Sequence, residues 1–125
     1  MSSHIWYMGE YSIASGKAEI FKGLFEKVIE TERSEVQDCL NFELFYNDDE
    51  TKFYTIWLFR DSEAVFAHLQ RAKDIIPRIL EVAELTRFEV FGNPTQALVD
   101  AMAPFGAKMF GHWAGFTRLF PTSAT

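Results

Sequence analysis

Three histidines and one cysteine are the side chains of this 125-residue sequence best suited to proton transfer or nucleophilic chemistry, and they stand among 13 Phe, 4 Tyr and 3 Trp. His68 falls on an apolar stripe, four residues after Ala64 and three after Val65, the spacing that gathers side chains on one face of a helix. A histidine there points toward whatever the helix packs on. With an ordinary pKa of about 6.5 it can accept a proton near neutrality as a general base. The bland alternative is a buried histidine hydrogen-bonded at a helix end, and the residue type allows both. Upstream, Phe53, Thr55, Trp57 and Phe59 recur at every second position, which puts them on one face of a strand. Rings so placed form a flat wall against which an aromatic ligand can stack, or simply core. Arg60 and Arg87 lie at strand positions where either can neutralise an anionic substrate, although solvated salt bridges are the commoner use of surface arginine.

Other chemistries find little support. His4, His112 and Cys39 have no ligand-like spacing with His68, so neither a metal nor another cofactor is expected. There is no Gly-rich phosphate loop, no Gly-x-Ser-x-Gly elbow and no dinucleotide fingerprint, which removes nucleotide-dependent enzymes and most hydrolases. A net charge of −6 disfavours nucleic acid and anionic membranes as partners. A lone cysteine, no signal-like start and no run of roughly 20 apolar residues lead to the expectation of a cytoplasmic protein.

Two kinds of element must position His68 and the ring-bearing strand. His4 to Ile13 is aromatic and β-branched, and reads as a first strand ended by Ser15-Gly16. Ile20, Phe21, Leu24, Phe25 and Val28 then recur at helical spacing, with charged residues opposite. Phe42, Leu44 and Tyr46 alternate with Glu43, Phe45 and Asn47 as a second strand, and a turn at 47–50 leads to a third, Phe53 to Arg60, apolar on both faces and therefore central. Asp61 caps the helix that carries His68, and Pro77 divides that helical region in two. Leu85 to Phe91 is a fourth strand. Asn93 as cap, with Pro94 at the first helical position, opens a last helix that Pro104 and Gly106 terminate.

The order β-α-β-β-α-β with a C-terminal helix and tail predicts an α+β, ferredoxin-like fold with an antiparallel sheet. We expect a single domain over 1–125, with a core at 4–92 and an extension at 93–125. Helices in such a unit shelter one sheet face only. Rings in every strand leave the other face apolar, which predicts a homodimer through the open sheet face. From Pro104 onward there is no Asp or Glu, and the rings of Trp113 and Phe116 are expected to pack on a neighbouring subunit or to lid the pocket.

The segment FYTIWLFRDSEAVFAHL at 53–69 resembles the third strand and following helix of the antibiotic-biosynthesis-monooxygenase family. The phrases FGNPTQALVDAMAPFG and WAGFTR resemble C-terminal extensions of some relatives. In topology the resemblance spans Ile5 to Phe91. It implies a dimeric α+β barrel and the oxidation of a small aromatic, phenolic or quinol-type molecule by dioxygen without metal or flavin, His68 helping to form the substrate anion and Trp57, Phe59, Thr55 and Phe53 shaping the pocket. Relatives carry Glu-x-Trp where this chain has Trp57-Leu58-Phe59, so a carboxylate is missing and the indole is displaced by two residues on the same face. That departure keeps open a non-catalytic dimeric module binding a small molecule. Loose Trp and His placement leaves a haem-degrading monooxygenase as a weaker alternative.

Overall fold

The computed structural model describes residues 3–35 and 38–118. β1 (Ile5–Ile13) runs out to a turn at Gly16, whose φ of 74° suits glycine, and the chain enters α1 (Ala18–Glu35). β2 (Cys39–Tyr46) and β3 (Lys52–Phe59) form a hairpin, and Asp61 then caps α2 (Ser62–Arg71), its carboxylate accepting the Ala64 amide at 2.9 Å. Pro77 sits in the first turn of α3 (Ile76–Val82), where its missing N–H is not needed, so the helical region divides where the sequence predicts. β4 (Ala83–Phe91), α4 (Gln96–Met102), a 3-10 turn (Ala103–Phe105) and β5 (Lys108–Phe110) complete the described elements.

The sheet order is β2-β3-β1-β4-β5. The first four strands pair antiparallel, and β5 joins β4 in parallel. The observed fold is thus α+β and ferredoxin-like, with a mostly antiparallel five-stranded sheet and four helices among the described residues. Registers set Phe42, Trp57, Tyr7 and Val90 in one row across the sheet, with Leu44, Thr55, Gly9 and Phe88 in the next. This is the helix-covered face. Its side chains form one cluster with Phe21, Leu24, Phe25 and Val28 of α1, Ala64 and Val65 of α2, Ile79 of α3, and Leu98 and Met102 of α4.

Four expectations need correction. Ile20 is 49% exposed, because the inward stripe of α1 is Phe21, Leu24, Phe25 and Val28, and a further position beside it turns to solvent. β4 starts two residues earlier than its alternation suggests, since a bulge opposite Glu10 and Tyr11 interrupts the period. α4 is capped by Thr95, whose hydroxyl accepts the Leu98 amide, and Pro94 lies outside the helix. β5 has no counterpart in the sequence reading, and its three residues are too few to show a period.

No helix among the described residues is long and apolar enough to cross a membrane.

Candidate functional site

The sheet face at Gly9 and Thr55 does not fill the space under the helices. A cavity of about 70 Å³ remains there, walled by Tyr7, Tyr11, Thr55 and Trp57 from the sheet, His68 from α2, and apolar side chains of α1, α3 and the C-terminal segment. Gly9 helps keep it open. A methyl on its Cα would meet Thr55 Oγ1 at 3.0 Å, Leu85 Cδ1 at 3.3 Å and Tyr11 Cε2 at 3.4 Å.

His68 reaches this wall because α2 is capped and phased so that Ala64, Val65 and His68 face the sheet, as the spacing predicts. Its imidazole is almost wholly buried, 4.4 Å from the Trp57 ring and 5.2 Å from Phe59 between centroids. Trp57 in turn stacks on Phe42 at 3.6 Å. Of the four strand residues expected at a pocket, Trp57 and Thr55 line the cavity. Phe59 and Phe53 are buried in the core outside its wall. Arg60 and Arg87 stand apart, exposed and engaged with Asp38 at 3.2 Å and Glu89 at 3.0 Å.

Behind His68 lies a carboxylate. Glu32 of α1 is 6% exposed and accepts two hydrogen bonds from Arg71, Nε to Oε2 and Nη2 to Oε1, both at 2.9 Å. The same Oε1 faces His68 Nδ1 at 3.4 Å, longer than a well-formed N–H···O bond, and Nδ1 is buried with no closer partner among the described residues. The contact is therefore electrostatic. Burial pushes the Glu32 carboxyl up, but His68 and Arg71 together outweigh it and hold the group at about 2. Burial also drives the Tyr7 phenol well above its ordinary range and raises Tyr11 to about 12 and Cys39 to about 11, so all three are neutral at pH 7. The site thus joins an apolar, ring-lined cavity to one buried imidazole backed by an ionised carboxylate.

The family model for antibiotic biosynthesis monooxygenase matches residues 5–73, more than half of the chain, from the start of β1 to just beyond Arg71. The chain belongs to the antibiotic biosynthesis monooxygenase family. No curated protein sequence matches it significantly. Among solved structures, this family member resembles MupZ from Pseudomonas fluorescens with a TM-score of 0.80 at 20% identity, over 94% of this chain and 91% of that one. It resembles Rv0793 from Mycobacterium tuberculosis at 0.63 and 17% identity, over 76% and 99%, and a conserved protein from Methanosarcina mazei Go1 at 0.60 and 17%, over 70% and 87%. At these identities the likeness is one of fold. The MupZ match leaves out so few residues that it must include most of the chain after Phe91.

Glu32 and Arg71 were not singled out from the sequence of this monooxygenase-family chain, although a signal exists. Glu32 follows Phe21, Phe25 and Val28 at helical spacing, a carboxylate on an apolar stripe, and Arg71 is one turn after His68.

The depressed Glu32 carboxyl links folding to pH. Its folded value of about 2 lies below the ordinary 4.5, so its contribution is fully present above about pH 4.5 and is lost as pH falls through 2. The loss amounts to at most about 3 kcal/mol. Urea denaturation should show wild-type stability dropping more steeply between pH 5 and 2 than that of Glu32→Gln. Parallel curves would mean that Glu32 has the same affinity for protons folded and unfolded.

Proposed function

We propose that this chain is a cofactor-independent monooxygenase that oxidises a small aromatic, phenolic or quinol-type molecule with dioxygen. The observation that carries the reading is the placement of His68, a buried imidazole in the wall of a cavity otherwise lined by rings and aliphatic groups. In the proposed reaction His68 takes the proton of a phenolic O–H as that bond breaks. The anion, raised in energy by a site poor in water, gives electrons to dioxygen. One oxygen atom ends as a carbonyl on the ring carbon para to the phenol, which loses its hydrogen. The other leaves as water, so a phenol plus dioxygen gives a quinone plus water and no outside reductant is consumed.

Size constrains the substrate. A cavity of 150 Å³ is about what benzene occupies in an engineered protein core, and the cavity here is about 70 Å³. A ring therefore fits only if side chains of the wall move. Leu80, Leu85 and Phe105 line both this cavity and an adjoining open groove of about 570 Å³, which makes them the natural gate. A porphyrin is far larger than the inner cavity, and that argues against the haem-degrading reading.

The acting unit is proposed to be a single-domain chain paired as a homodimer. Trp6, Met8, Ile56, Leu58 and Phe91 share the sheet face away from the helices, and apart from Leu58 they are only half-buried in the protomer. Trp113 and Phe116, 95% and 81% exposed, extend from β5 at the edge of the same sheet and supply further apolar surface for a second copy.

The test is oxygen uptake with a panel of phenols and dihydroxynaphthalenes that carry hydrogen para to a hydroxyl, with quinone followed by absorbance. Uptake matched one-to-one by quinone supports the reaction. Ligand-induced rises in Tm with no uptake across the panel would replace it with non-catalytic binding.

A further inference from the structure

Glu32 sits on a stripe where an aliphatic residue would pack against Phe25 and Val28, so a carboxylate there costs desolvation that a merely structural position need not bear. Arg71 occupies both of its oxygens, and Oε1 still faces His68. An ionised carboxylate only accepts and a guanidinium only donates. The imidazole has one way to satisfy that geometry, which is to present an N–H from Nδ1. The opposite tautomer would set a lone pair against a carboxylate oxygen at 3.4 Å inside the core.

We propose that Glu32, clamped by Arg71, is the positioning residue that holds the proton of neutral His68 on Nδ1 and leaves the lone pair of Nε2 for the cavity. This rests on the reading of His68 as the proton acceptor. When Nε2 gains the substrate proton, its new N–H bond replaces the substrate O–H bond, and the imidazolium that results faces an anion already in place. The proton is then passed to the oxygen that leaves as water. Arg71 keeps Glu32 ionised and stops it from rotating toward solvent. Tyr7 on β1 and Cys39 on β2 also face Glu32, both kept neutral by burial, while the carboxylate of Asp38 acts on Arg71. Neither Tyr7 nor Cys39 supplies a competing charge near neutral pH.

The decisive measurement is the tautomer of His68 in the full-length protein, read from the ¹⁵N shifts and two-bond couplings of the imidazole, which requires no turnover. A protonated Nδ1 with a pyridine-like Nε2 is expected, and the reverse assignment would overturn the proposal. In Glu32→Gln the two tautomers should mix. With 1,5-dihydroxynaphthalene as substrate, whose carbon para to a hydroxyl still carries hydrogen, kcat should fall about 10- to 100-fold with KM within about threefold. A folded Glu32→Gln protein with unchanged tautomer and unchanged kcat would reduce Glu32 to a structural ion pair and overturn its positioning role. Should wild-type protein turn over no substrate, the monooxygenase reading falls, while the tautomer still decides this one.

Discussion

His68→Ala should lower oxygen uptake by about 10²- to 10⁴-fold, the range that a positioned general base contributes. The effect should fall on kcat more than on KM, because His68 forms one wall of the cavity while Tyr7, Thr55 and Trp57 form others that persist. Alanine also removes packing against Trp57 and leaves Glu32 facing a void, so His68→Gln serves as the volume-matched control. Glutamine fills the space but cannot accept a proton at neutral pH, and its activity should be as low as that of alanine. Circular dichroism and Tm measurements on both variants separate lost chemistry from lost fold. Uptake within threefold of wild type in either folded variant would remove His68 from the reaction.

The second large effect is expected at the open sheet face. Ile56 pairs with Met8 on β1 and Glu43 on β2, with Trp6 and Leu58 in the neighbouring row, so it lies at the border of the apolar patch. It is half-buried in the protomer, where an aspartate can still reach water. Within a dimer built on this face the same aspartate would be an unpaired buried charge, which costs about 3 kcal/mol or more. Ile56→Asp should therefore weaken the dimer at least about 100-fold, giving monomer in sedimentation velocity at micromolar concentrations where wild type is paired. Monomeric wild type, or an unaltered Ile56→Asp dimer, would show that this face is not the contact.

Features with short-range causes were legible from the sequence. The cap at Asp61 needs only a carboxylate three residues before an amide, and Pro77 divides the helical region because of its own ring. The strand faces of Phe53, Thr55, Trp57 and Phe59 follow from a period of two. His68 was found because its place on a helical stripe is also a local property. Where two local signals compete, a distant contact decides between them. Asn93-Pro94 offers as good a cap on paper as Thr95, but Thr95 is fixed by its amide donating to Ser62 Oγ at 3.0 Å, from a residue 33 positions away. The bulge opposite Glu10 delayed the apparent start of β4 for a similar reason, since its stabilising contacts from Thr86 to Glu10 span 76 positions.

The sequence by itself determined the alternation of strands and helices, the buried stripe of each main helix, the ring-rich face of β3 and the presence of a histidine on the inward side of α2, because each is set by residues within a turn or two of one another. Only the tertiary structure decided that Glu32 and Arg71, 39 positions apart, meet behind that histidine. It also decided that Trp57 and Thr55 reach the cavity while Phe59 and Phe53 do not, and that a three-residue strand closes the sheet. Those outcomes depend on helix phase, strand register and the space left by Gly9, which are fixed together when α1 and α2 pack on the sheet, and by no local pattern alone.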